Sequence, residues 1–249
     1  MVSTRQNIWL IGASEGIGKA LAKELSLDKS NFLILSARNQ ESLHELSIGI
    51  ESSLVTYLDV SSAKSIEDSL AIVKSNNIKV DCLIYLAGFY EPISAAEINM
   101  ASVEKMIDIN LTGAIRVMSF LAPEFIANRA GHVILIGSVA GYRGLPNAIG
   151  YSASKAGIIN FAENLKCDLA KYGIKIQVIN PGFVKTRLTD KNNFKMPFII
   201  SPEEAAKNIV RIMQSNKFEA RFPFIFANFI KFLSQLPYWL YFKIVSLIN

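Results

Sequence analysis

The sequence predicts one doubly wound α/β domain, a mostly parallel sheet of about seven strands with helices on both faces. Three observations predict it. Short, near-continuous apolar runs recur along the chain, and continuity rather than alternation marks strands buried on both faces. Helical patterns separate these runs, which is the rhythm of right-handed βαβ units. A glycine-rich stretch also joins the first run to the first helical segment.

The strand runs are "NIWLI" (7–11), "NFLILS" (31–36), "SLVTYL" (53–58), "DCLIYLAG" (81–88), "HVILIGS" (132–138) and "IKIQVIN" (174–180). Helical segments between them include 62–75, 102–128 and 151–172, and "RFPFIF" can supply a seventh strand. No repeat, low-complexity tract or Pro/Gly linker divides the chain. Its 249 residues are therefore assigned to a main unit, 1–226, and an apolar, amphipathic extension, 227–249.

In "LIGASEGIGKAL", Gly12, Gly16 and Gly18 form G-x-x-x-G-x-G, a variant of the dinucleotide fingerprint, with Ser14, Glu15 and Ile17 between them. Missing side chains permit a tight turn and close approach of a pyrophosphate, which then meets the positive end of a helix. The second strand ends "LSARN", where an acidic residue would accept from the adenosine ribose. Ala37 is neutral and Arg38 follows, so a 2′-phosphate is favoured and NADP is expected over NAD. Asp59, beside Val60, is placed either to accept from the adenine amine or to cap the next helix, with Ser61 and Ser62 competing for the cap.

In "YSASKAG", Tyr151 and Lys155 stand four apart on one helical face. Taken with the glycine loop, "DV" (59–60), "AG" (Ala87, Gly88), "NLTG" (110–113), "IGS" (136–138) and "PGFVKT" (181–186), the sequence resembles the short-chain dehydrogenase/reductase family over about 5–215. Ser138 and Tyr151 are thirteen residues apart, the family's usual spacing. The resemblance implies a Rossmann-type fold, a catalytic tetrad of Asn110, Ser138, Tyr151 and Lys155, and a cofactor site that includes Tyr151 and Lys155. Ser138 ends a strand, where it would stabilise negative charge on a substrate oxygen. Tyr151 would pass the proton, and an ammonium beside it would lower its pKa from about 10. By resemblance Lys155 also grips the nicotinamide ribose, and Asn110 joins a water-linked proton path. Pro181 and Gly182 are expected to turn the chain after the sixth strand, leaving Thr186 to bond the carboxamide. Leu86 stands where the family commonly has Asn, and Glu15 occupies a position often basic in NADP-preferring members.

Composition narrows the remaining choices. The net charge of +5 is unclustered and no basic-aromatic stripe occurs, so nucleic acid is not an expected partner. His44 and His132 are too scattered for a metal site and read as surface or strand-edge residues. Cys82 and Cys167 read as buried thiols in a reducing compartment, and no secretory signal is evident, so a cytoplasmic protein is expected.

From Phe218 the chain crowds with aromatic residues. Asn228, Lys231 and Gln235 share one helical face, and Phe229, Phe232, Leu233 and Leu236 the other, before Pro237 breaks the pattern. Three roles fit: a peripheral membrane anchor, which is preferred, a homodimer interface, or a lid on an apolar substrate pocket. The leading function is hydride transfer between NADP(H) and a lipophilic carbonyl or alcohol. The alternative is a catalytically idle NADP-binding regulatory or membrane-peripheral module, which leaves Tyr151 beside Lys155 unexplained.

Overall fold

The computed structural model describes residues 6–194 and 196–247; Lys195 and the outermost residues of the two expected units, 1–5 and 248–249, lie outside the described residues. Seven strands make one parallel sheet in the order β3-β2-β1-β4-β5-β6-β7. They are β1 (Gln6–Ile11), β2 (Asn31–Ala37), β3 (Ser53–Tyr57), β4 (Cys82–Tyr85), β5 (His132–Ile136), β6 (Lys175–Pro181) and β7 (Glu219–Phe222).

Both faces are covered, as the continuous apolar runs require. On one side α3 (Ala63–Ser75), α5 (Gly113–Asn128) and α6 (Ile149–Leu169) bury Ile66, Leu121, Phe125 and Ile158 against Trp9, Leu83 and Val133. On the other, α1 (Gly16–Leu25), α2 (Gln40–Ile48) and α7 (Pro202–Met213) bury Leu21, Leu43 and Ile209 against Ile8, Leu10 and Ile84. Each such large apolar side chain contributes about 1.5–3 kcal/mol. The start of α7 follows directly from its sequence: Ser201 accepts from the Glu204 amide, Pro202 opens the first turn, and Glu203 and Glu204 face the positive helix end.

The segment expected as one helix over 102–128 is α4 (Met100–Ile107), a π-helical turn at Asp108–Thr112, and then α5. Such turns are unusual and concentrate at functional sites. Four other expectations change. β4 ends at Tyr85, so residues 86–88 leave the sheet. β6 continues through Pro181, and the Gly182 amide bonds to the Phe222 carbonyl, so neither residue makes the expected turn. β7 stops at Phe222 because Pro223 has no N–H for a ladder; α8 (Phe224–Ser234) begins three residues before the expected boundary, followed by α9 (Tyr238–Val245). Cys82 is buried, with its thiol pKa pushed up by desolvation, whereas Cys167 is exposed on the outward stripe of α6 that also carries Asn160 and Glu163.

Winding reverses between β1 and β4. An open α/β sheet forms its binding crevice at the carboxyl ends of such a pair, and here those ends carry the glycine loop and residues 86–88.

Candidate active site

The glycine loop is built around forbidden side chains. Gly12 has φ +96°, and a Cβ there would lie 2.7 Å from the Ala87 amide nitrogen; a Cβ at Gly18 would lie 2.0 Å from the Gly12 carbonyl. Strand, loop and helix therefore close to a spacing that only glycine allows. Glu15 precedes α1 without a side-chain capping bond, leaving the first-turn N–H groups available to an anion. A cradle of this kind fits a dinucleotide pyrophosphate.

A cavity of about 910 Å³ extends from this cradle along the carboxyl edge of the sheet. Its lining contains Gly12, Ser14, Glu15, Gly16, Ile17, Gly18, Arg38, Asp59, Val60, Ala87, Gly88 and Thr186, twelve of the sequence-predicted cofactor residues. Pro181, Gly182, Tyr151 and Lys155 are not on it. Pro181 is buried within β6, and Gly182 is packed by Phe226 and Pro223. Ser62, not Asp59, caps α3, accepting from the Ser65 amide at 3.2 Å. Asp59 instead accepts from the Ser61 amide and hydroxyl at 3.0 and 2.7 Å. Burial works to raise the Asp59 pKa, but these bonds and the nearby Arg38 and Arg116 charges outweigh it, keeping the carboxylate ionised.

Beside the cavity the predicted tetrad gathers from three elements. Ser138 follows β5 in extended conformation, and its Oγ accepts from the Ala140 amide at 3.1 Å. Tyr151 lies on the first turn of α6 with its hydroxyl near Ser138. Burial pushes the Tyr151 pKa up to about 12, with the nearby Ser138 hydroxyl working the other way. The lowering expected from Lys155 does not occur. Lys155 is buried and its Nζ donates to the Ile136 carbonyl at 2.9 Å, 5.8 Å from the Tyr151 ring centre. Desolvation brings the Lys155 pKa down to about 8. The ammonium thus serves the strand end that borders the cavity rather than the phenol.

Asn110 sits in the π-helical turn, fully buried. Its Nδ2 donates to the Phe89 carbonyl and to Ser154 Oγ, both at 2.9 Å, while its Oδ1 accepts from the Phe89 amide at 2.7 Å. It joins the loop after β4 to α6 and makes no hydrogen bond to Lys155 among the described residues.

Sequence reasoning missed two features. Tyr90 packs edge-on against Tyr151, ring centres 4.8 Å apart, and its hydroxyl donates to Asn192 Oδ1 at 2.7 Å. Lys191 Nζ donates to the Tyr90 carbonyl at 2.9 Å, so this residue ties the segment after β6 to the reaction centre. The only signal was an aromatic residue just past Ala87 and Gly88. The second is the Glu15–Arg187 ion pair at 2.7 Å, which joins the glycine loop to the same segment. Glu15, unusual at a position often basic, finds its partner there.

A protein-family model described as short chain dehydrogenase matches residues 6–196. The chain belongs to the short-chain dehydrogenase/reductase family. Among this family's members, an uncharacterised oxidoreductase of Myxococcus xanthus is 32% identical over 231 residues, covering 91% of this chain and 90% of its own. Carbonyl reductase family member 4 of Xenopus laevis is 30% identical, covering 83% and 90% respectively. A solved structure of actinorhodin polyketide ketoreductase with NADPH superposes with a TM-score of 0.77 at 26% identity, covering 89% of this chain and 97% of that one. As a short-chain dehydrogenase/reductase the protein is an oxidoreductase of a family that binds nicotinamide cofactors.

Proposed function

We propose that the protein is a cytoplasmic NADP(H)-dependent reductase or dehydrogenase for a lipophilic carbonyl/alcohol pair, with Tyr151 as the proton donor and acceptor. The observation that carries the reading is the convergence of Ser138, Tyr151 and Lys155 at the end of β5, where Ile136, which accepts from Lys155, lines the glycine-rich cavity. The bound cofactor would supply the hydride; Gly12, Gly16, Gly18, Arg38 and Thr186 would hold it. Ser138 then positions the substrate carbonyl oxygen and stabilises the charge that develops on it. Tyr151 gives its hydroxyl proton to that oxygen, yielding the alcohol, and takes it back in the reverse direction. A phenol raised to about 12 is fully protonated at neutral pH, which suits it to reduction.

Arg38 supports NADP: it is exposed on the cavity wall at the end of β2, next to neutral Ala37. A lipophilic substrate is supported by Phe183, Phe194 and Phe198 of the segment after β6 and Phe226 of α8, whose rings are in successive contact with centres 5.3–6.3 Å apart. The test is a panel of ketones, aldehydes and alcohols followed by NADPH absorbance, with NADH in parallel. Turnover of apolar carbonyls with NADPH is expected. Cofactor binding without turnover of any member would favour the idle module.

A further inference from the structure

On α8 two polar groups face the protein: Lys231 pairs with Glu219 at 3.3 Å and lies over the Tyr142 ring, and Asn228 Oδ1 accepts from Arg221 at 2.9 Å. Most large apolar groups of both helices face outward. Phe224, Ile225, Phe229 and Phe232 are exposed on α8, and Tyr238, Trp239 and Phe242 on α9. The helices are fixed in this orientation by buried Ala227, Leu233 and Tyr241, by the Tyr241 hydroxyl bond to the Gly144 carbonyl, and by Arg143. An isolated exposed aromatic residue needs no explanation, but a two-helix face of them does.

We propose that this face docks on the surface of an anionic lipid bilayer. Three observations select that occupant. Glu219 is the last acidic residue of the chain, so α8 and α9 carry only positive charge, with Lys243 exposed beside Trp239 and Phe242. Lys231 is paired with Glu219, which leaves Lys243 as the outward cation of α8 and α9 among the described residues, and anionic headgroups attract it. The exposed set includes Tyr238 and Trp239, whose amphipathic rings suit the headgroup layer, while α8 and α9 at 11 and 8 residues are too short to cross a bilayer. The face also runs into the segment after β6. Phe198 stacks on Phe226 of α8, and Phe194, Phe198 and Ile199 are themselves exposed. Docking therefore brings the bilayer surface to the segment after β6, whose residues 185–188 line the candidate site, so an apolar molecule can pass between them with little exposure to water.

The chain provides its own probe. Trp9 is 0% exposed and Trp239 is 71% exposed, so a blue shift of emission on adding vesicles reports Trp239. The full-length protein is mixed with phosphatidylcholine vesicles with and without phosphatidylglycerol, then floated, with its mass measured in parallel. The expected result is a blue shift and flotation with the anionic vesicles, weakened at least about tenfold in the Phe232→Glu/Phe242→Glu variant, whose mass is unchanged. Unshifted emission and no flotation overturn the proposal. A double variant of lower mass, with no lipid binding by the parent, assigns the face to a second copy instead. No substrate is present, so these outcomes stand apart from the reductase reading.

Discussion

Asn110 and Phe89 hold each other through two hydrogen bonds: the Phe89 amide donates to Asn110 Oδ1 at 2.7 Å, and Asn110 Nδ2 donates to the Phe89 carbonyl at 2.9 Å. The side chain imitates a strand neighbour for a segment that has left the sheet. This matters because Leu86 stands where a polar residue commonly steadies the central strands. Here the task falls to Asn110 and to Tyr85, whose hydroxyl donates to the Ile109 carbonyl at 2.6 Å.

Asn110→Leu is therefore expected to destabilise the protein. It leaves the Phe89 amide and carbonyl without their partner, at about 1–3 kcal/mol for each buried group lost. Denaturant titration checks it. The same variant should lower turnover more than it lowers cofactor affinity, since Tyr90, the next residue, packs on Tyr151.

Tyr151→Phe removes the transferable proton and keeps the ring edge against Tyr90. Cofactor affinity should survive while turnover falls by at least about 10²-fold. Near-normal turnover by purified protein on any accepted substrate would sink the assigned role.

Replacing Arg38 with Asp exchanges attraction for repulsion at the proposed 2′-phosphate. Charge-assisted bonds of roughly 1.5–3 kcal/mol predict a loss of about 10- to 100-fold in NADPH affinity, with NADH little changed. Equal weakening of both cofactors would make Arg38 a surface residue.

Much of this was legible in the chain. Strands buried on both faces leave near-continuous apolar runs, and each of the six recognised runs became a strand within a few residues. The glycine loop was legible because sterics, not packing, dictate it: nothing but glycine fits at Gly12 or Gly18. What failed depended on the third dimension. Tyr151 and Lys155 share a helical face, but the Ile136 carbonyl, nineteen residues earlier in sequence, captures the ammonium. The tail's two expected faces held only in part: Lys231 turns inward to Glu219 and Phe229 and Phe232 outward, but Leu233 is buried and Gln235 exposed, because periodicity cannot say where β7 and the loop after β5 meet the helix.

Lys155 gives a pH signature. Its pKa is lowered by burial from 10.5 to about 8, so the native state resists charging it. Below pH 8 the group is charged in both native and unfolded chains and the penalty is fully present, roughly 3 kcal/mol at 1.36 per unit. As pH rises from 8 to 10.5 the native state releases its proton first and the penalty disappears. Lys155→Met, which also forfeits the bond to Ile136, should then be modestly more stable than the parent at pH 7, by about 1 kcal/mol, and lose that advantage by pH 10.5. Thermal melts across that range check it. A stability difference that does not change with pH would mean that Lys155 is not desolvated.

Arg143 clasps the C-terminal helices to the loop between Ser138 and Tyr151. Its Nη1 donates to the Ser234 and Leu236 carbonyls at 3.0 and 2.5 Å, and its guanidinium lies 4.1 and 4.4 Å from the ring centres of Tyr238 and Tyr241. One planar cation thus satisfies carbonyls at the end of α8 and covers two rings of α9, a combination that a lysine ammonium cannot reproduce. Both Arg143→Ala and Arg143→Lys should release α9. With about 2 kcal/mol lost, amide exchange there should speed up by roughly thirtyfold while the central strands keep their protection. The loop also loses its outer support, so KM for the substrate should rise, with cofactor affinity unchanged because the glycine loop lies on the far side of β4. If α9 exchanges no faster in the alanine variant, the helix is held by Tyr241 and its bond to Gly144, and Arg143 adds nothing to its hold.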